Sequence, residues 1–131
     1  MQLKRREFIK IMAAGAVAAV AHPPTLALAN KSAVTIEAPA TAARNAQVTI
    51  RLQITHRGNN FIHYTNWVTL RTEEGEIGRW DFSAFDRPEN NEFSREVTIA
   101  MEGTTQLIAQ ANCNIHGSEG EVRHTIVVQD R

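Results

Sequence analysis

The sequence predicts an all-β fold, an immunoglobulin-like antiparallel β-sandwich of about seven short strands. Beyond about residue 30, apolar and polar residues alternate with period two. Turn residues punctuate that pattern at short intervals, and no segment reads as a helix. Val48, Ile50, Leu52 and Ile54 alternate with Thr49, Arg51, Gln53 and Thr55, the mark of a half-buried strand. Val34-Thr35-Ile36 reads as an earlier short strand closed by Pro39. Residues 61–71 are rich in β-branched and aromatic side chains and read as a third. Its parity sets Phe61, His63, Thr65 and Trp67 on one face. Glu74-Gly75 is a turn and 76–82 a fourth strand, followed by the polar loop Asp86-Arg87-Pro88-Glu89-Asn90-Asn91. Residues 93–101, 105–112 and 121–128 complete the set, separated by Gly103 and by Gly117-Ser118-Glu119-Gly120. A domain of about 100 residues is the usual size for this architecture, although the Cys…Trp…Cys signature of antibody domains is absent.

The N-terminal residues 1–29 are expected to stand outside that domain, which then spans 30–131. Lys4-Arg5-Arg6-Glu7-Phe8-Ile9-Lys10 is a basic segment with paired arginines, and an apolar stretch follows at 11–21. His22-Pro23-Pro24 breaks the stretch, and Ala27-Leu28-Ala29 supplies small residues at cleavage spacing. The segment resembles a twin-arginine export signal, which implies a periplasmic, folded cargo. Its apolar part is too short to span a bilayer, which takes roughly 20 residues, so no stable membrane insertion is expected after cleavage.

The overall charge of zero hides a split. Four of the 14 Lys+Arg and one of the 14 Asp+Glu lie in residues 1–29, which leaves ten against 13 and a formal charge of −3. That balance argues against a nucleic-acid-binding surface.

One cysteine rules out an intramolecular disulfide. In an oxidising compartment a free thiol is a liability, and binding a metal is one reason to keep it; the plain alternative is an inert buried thiol. Cys113-Asn114-Ile115-His116-Gly117 places a thiolate and an imidazole three residues apart where a strand ends. Gly117 permits a tight turn behind them, and Asn112 and Asn114 are candidate donors to the sulfur. His56 precedes the loop Arg57-Gly58-Asn59-Asn60, and His63 follows it. Taken singly, a loop histidine is more often solvated and a histidine beside a tryptophan more often packed. Together with Cys113 and His116 they form a soft-donor set suited to iron, copper or zinc.

His63-Tyr64-x-x-Trp67-Val68-x-Leu70, followed far downstream by Cys113-Asn114-x-His116-Gly117, resembles the iron domain of the superoxide reductases, the desulfoferrodoxin and neelaredoxin family. The strand Val34-Thr35-Ile36-Glu37-Ala38-Pro39 belongs to the same likeness. The resemblance implies an immunoglobulin-like sandwich holding one iron per chain, cycling between Fe2+ and Fe3+. It implies an axial Cys113 and equatorial histidines that include His56, His63 and His116. It also implies superoxide as substrate, reduced to peroxide, and a separate electron-donor protein, since one cysteine cannot build a rubredoxin-like module. Symmetric homo-oligomers are common among such proteins. Lys31 would offer positive charge to the anionic substrate.

The chain departs from the family pattern twice. Ser32 stands where the first histidine ligand is expected, and the loop from His56 to His63 is one residue longer and lacks a proline after the first histidine. The fourth equatorial place is open to water, to His124 or to the α-amine of Asn30 freed by cleavage. His124 shares parity with Val122, Ile126 and Val128 and reads as a packed or solvent-facing residue. Two other readings stand beside the reductase: a non-catalytic metal carrier or electron-transfer protein of iron or copper, and a metal-free structural sandwich.

Overall fold

In the computed structural model, which describes residues 18–21 and 31–130, nine strands form two sheets. They are β1 Ala18–Ala21, β2 Ala33–Pro39, β3 Thr41–Ala43, β4 Gln47–Thr55, β5 Thr65–Thr72, β6 Gly75–Asp81, β7 Glu92–Ala100, β8 Thr105–Cys113 and β9 Val122–Gln129. One sheet has the order β1-β2-β4-β7 and the other β3-β9-β8-β5-β6. All seven expected strands are present. Pro39 ends β2 from within, and the short β1 and β3 are additional. β3 pairs with β9 in parallel; every other strand pairing among the described residues is antiparallel.

The core lies where the two sheets face each other. β2 contributes Val34, Ile36 and Ala38, and β4 contributes Val48, Ile50, Leu52 and Ile54. Val68 and Leu70 of β5, Leu107, Ala109 and Ala111 of β8, and Ile126 of β9 meet them from the other sheet. This is the predicted alternation expressed as packing, with Thr49 and Arg51 turned to solvent between buried neighbours.

The third predicted strand begins four residues later than its composition suggests. Residues 61–64 belong to the loop, and β5 starts at Thr65. The β5–β8 register then shifts: Thr65 lies opposite Cys113 and Trp67 opposite Asn112, so Asn66 is an extra residue. Thr65 therefore points inward with Val68 and Leu70, whereas Trp67 is only half-buried. The shared face of His63, Thr65 and Trp67 expected from parity is broken at this bulge.

The basic residues 4–10 and the cleavage pattern at 27–29 lie outside the described residues. Within the same expected export segment, Ala18–Ala21 runs as an edge strand along β2, with Ala21 opposite Ile36.

Ile50 is fully buried at the centre of β4. Ile50→Ala is expected to cost about 2–5 kcal/mol through lost burial and the cavity left behind, measured as a lower urea midpoint at unchanged slope.

Candidate metal centre

The site is built where β4 and β8 end, at one end of the sandwich. β4 delivers His56 one residue past its last strand position, and β8 delivers Cys113 as its final residue. Inward alternation carries through both: His56 follows the Ile50, Leu52, Ile54 series, and Cys113 follows Leu107, Ala109, Ala111. Both side chains are consequently buried, at 0% and 1% exposure.

Cys113 sits in a closed turn. Its N–H donates to the Gly117 carbonyl at 2.8 Å, and Gly117 N–H returns the bond at 3.0 Å. Gly117 has φ +85°, a conformation that costs a residue with a Cβ. The turn points the His116 N–H at the sulfur, 3.4 Å away. Asn112 and Asn114 do not donate to that sulfur, contrary to the sequence expectation. Asn112 Nδ2 bonds Asn66 Oδ1 at 2.8 Å and the Cys113 carbonyl at 3.0 Å. Asn114 presents its amide oxygen to the sulfur at 3.8 Å. That oxygen also accepts Tyr64 N–H at 2.9 Å, while Asn114 Nδ2 donates to Ile62 O at 3.0 Å. Asn114 therefore fastens the segment carrying His63 to the turn carrying Cys113.

The loop between His56 and His63 is shaped by asparagines. Asn60 Oδ1 accepts the N–H groups of Ile62 and His63, both at 2.9 Å, which curls the chain back. Gly58, at φ +77°, lets the loop turn against the His63 ring. Residues 90–91 support it from outside, where the Asn91 carbonyl receives His56 N–H at 2.8 Å. Arg95 grips Glu89 with two nitrogens at 3.0 and 3.1 Å and holds that supporting loop. The hydrogen bond from Arg95 keeps the Glu89 carboxyl below its ordinary range.

The donor atoms converge. One ligating atom each from His56, His63 and Cys113 lies within 4.8 Å of the others. His56 Nε2 is 3.1 Å from His63 Nε2, and His63 Nε2 is 2.7 Å from His116 Nδ1. His116 Nδ1 is 3.8 Å from Cys113 Sγ. Two nitrogens each about 2.1 Å from one ion at a right angle are about 3.0 Å apart, so the His56–His63 spacing suits neighbouring positions around a single metal, and His116 Nδ1 lies beside His63 at the edge of that group. Three imidazoles and a thiolate match the soft donor preference of iron, copper or zinc.

Ser32 is fully buried beside this cluster. Its N–H and carbonyl bond the main chain at Gly117 and Glu119, and its hydroxyl bonds Thr65 Oγ1 at 2.8 Å. His124 is engaged elsewhere, with Nε2 3.0 Å from the Pro39 carbonyl, in keeping with the packed reading. Asn30 lies outside the described residues. Lys31 is exposed next to Ser32.

Around the mouth, Phe61 and Phe85 stack edge-to-face at 5.2 Å, and Ile62 and Ile115 are also exposed. Among the described residues, Arg44, Arg51, Arg71, Arg79, Arg95 and Arg123 have carboxylate partners. Lys31, Arg57 and Arg87 have none, and all three belong to segments at this end. Asp86, Glu92 and Glu119 share the end, so attraction for an anion is local to those three cations.

The desulfoferrodoxin family model matches residues 16–119. The chain belongs to the desulfoferrodoxin family. A variant of the superoxide reductase (neelaredoxin) of Ignicoccus hospitalis is similar in structure at a TM-score of 0.65 and 25% identity, over 81% of this chain and 87% of that one. Another structure of the neelaredoxin from that organism gives 0.60 at 25% identity, over 73% and 80%. A putative superoxide reductase of Thermotoga maritima gives 0.57 at 23%, over 72% and 83%, and supports the fold alone. No curated protein matches the chain in sequence.

The asparagines were the part that sequence reading missed. Asn60 curls its own loop, whereas Asn59, Asn91 and Asn114 announce turns by type but have partners on other segments of the chain.

Gly117→Ala is expected to cost about 1–2 kcal/mol, because a Cβ disfavours the left-handed backbone while meeting nothing closer than 4.0 Å; thermal melts would read it. The Arg95–Glu89 pair stabilises the protein above the carboxylate's unfolded pKa and loses that effect as pH falls through the lower folded pKa. The stability difference between the parent and Glu89→Gln, expected under about 1 kcal/mol at pH 7, should vanish in acid, as urea midpoints across a pH series would show.

Proposed function

We propose that this protein is an exported, mononuclear non-haem iron oxidoreductase that reduces superoxide to hydrogen peroxide. The observation that carries the reading is the convergence of His56, His63 and Cys113 from three separate chain segments, with His116 Nδ1 beside both His63 and Cys113. Convergence of this kind is unneeded in a metal-free structural sandwich. Family membership and the neelaredoxin-like fold support the same reaction class. Export to the periplasm rests on the paired arginines, the short apolar stretch and the small residues at 27 and 29.

Bound ferrous iron would supply the single electron that superoxide takes up, with two protons from solvent giving hydrogen peroxide. An external donor protein would then return one electron per cycle. The chain's own contribution is a preorganised donor set. His56, His63 and His116 supply imidazole nitrogens, and Cys113 supplies a thiolate shielded from water. The Gly117 turn aims the His116 N–H at the sulfur, which moderates its electron donation. Lys31, Arg57 and Arg87 would draw the anionic substrate toward the mouth. The Ser32 hydroxyl bonds Thr65 Oγ1, and in this reading it does not replace an imidazole. The centre then has three histidines and one cysteine.

Purified without air, loaded with ferrous iron and then oxidised, the protein is expected to hold one iron per chain and to show a visible thiolate-to-ferric band. Cys113→Ser should abolish that band while leaving the far-ultraviolet circular dichroism unchanged. Copper with an intense blue band would favour the electron-transfer reading, and a freely titratable thiol with no bound metal would favour the structural one.

A further inference from the structure

We propose that Asn59 is a positioning residue that locks His56 in the tautomer with hydrogen on Nδ1, leaving Nε2 as the donor lone pair aimed into the cluster. As a statement about metal binding, this rests on the reading of His56 as a ligand. As a statement about the ring, it stands on hydrogen bonds alone.

Asn59 Oδ1 lies 2.5 Å from His56 Nδ1. The same oxygen accepts Thr65 N–H at 2.9 Å. Asn59 Nδ2 donates to the Asn90 carbonyl at 2.9 Å, and the Asn59 N–H donates to Asn91 Oδ1 at 3.1 Å. The Thr65 N–H and the Asn90 carbonyl settle which end of the amide is which. Reversing it would set the NH2 group against the Thr65 N–H and an oxygen against the Asn90 carbonyl. With the oxygen facing His56, Nδ1 must carry the hydrogen. Nε2 is then unprotonated in the neutral ring, and it is the atom 3.1 Å from His63 Nε2.

The orientation is costly to disturb because His56 is fully buried. An unsatisfied N–H is costly in so buried a ring, so the acceptor at Nδ1 weighs on which tautomer the ring adopts. Asn59 also couples the two halves of the site. Through Thr65, which lies opposite Cys113, one amide oxygen ties the His56 ring to the strand beside the thiolate. A neutral amide at this place polarises the imidazole less than a carboxylate would, so residue 59 also sets how strongly His56 donates.

The test uses the full chain, labelled with 15N in histidine, and long-range proton–nitrogen spectra recorded near pH 9, where an imidazole with ordinary titration is neutral. The expected result without metal is His56 in the Nδ1–H form. Asn59→Ala should shift it toward Nε2–H, and Asn59→Asp, which keeps an oxygen acceptor, should restore Nδ1–H. His56 found as Nε2–H in the parent, or unchanged in Asn59→Ala, would overturn the proposal. Should Asn59→Ala fail to fold, the parent and Asn59→Asp spectra still decide it.

Anaerobic titration with ferrous ion supplies a second readout. Asn59→Ala is expected to bind about 10–100-fold more weakly than the parent. Asn59→Asp should retain binding and shift the midpoint potential to more negative values. A parent that shows the Nδ1–H pattern but binds no metal would support the role of Asn59 and remove the reductase reading. A parent that binds iron, with the affinity and potential unmoved by either substitution, would do the reverse.

Discussion

Between β5 and β8 the ladder carries one more residue on β5 than on β8, and the disposition of the candidate centre follows from that single insertion. Downstream of Asn66, strand parity is set by the core, with Val68 and Leu70 inward. Upstream, Thr65 must also face inward to meet Ser32 and lie opposite Cys113. An ideal strand cannot satisfy both, because inward positions differ by two residues. The bulge resolves the conflict and ends regular pairing, which frees residues 57–64 to fold over the end of the sandwich. His63 reaches the cluster from that freed loop.

The loop has little apolar burial to hold it, so its order comes from directed bonds. Four asparagines perform this work in place of a hydrophobic contact set. Asn is suited to it because one short side chain offers a donor and an acceptor on a rigid planar group. Asn114 closes the gap between the His63 segment and the Cys113 turn, and Asn60 sets the curvature. The cost of burying His56 is offset by bonds at both its backbone and its ring. The mouth itself stays polar and apolar by turns, with Phe61 packed edge-to-face on Phe85.

Much of this was legible in the sequence. The period-two run at 48–55 became β4 with the expected inward face, since burial on one side of a sheet enforces alternation, and the strand expected at 105–112 became β8. Cys113, His116 and Gly117 formed the tight turn their spacing implied. The position of His63 was misread because aromatic and β-branched composition cannot distinguish a strand from a loop packed on a strand end. The bulge at Asn66 leaves no mark in composition. The sulfur's hydrogen-bond donor was also misjudged: Asn114 is adjacent, yet tertiary partners turn its oxygen toward the thiol and leave the His116 backbone as donor.

His56 leaves a strand of one sheet, and Cys113 ends a strand of the other. The two layers of a sandwich are joined elsewhere mainly by non-directional apolar contact, which resists separation better than sliding. An ion gripped by both residues would act as a rivet between the layers, placed at one end only. Shear between the sheets would then be converted into rotation about that end. At the opposite end, Arg44 reaches Asp130 and the Glu102 carbonyl across an exposed corner, a much softer fastening. Mechanical load or thermal opening would begin there and reach the metal last.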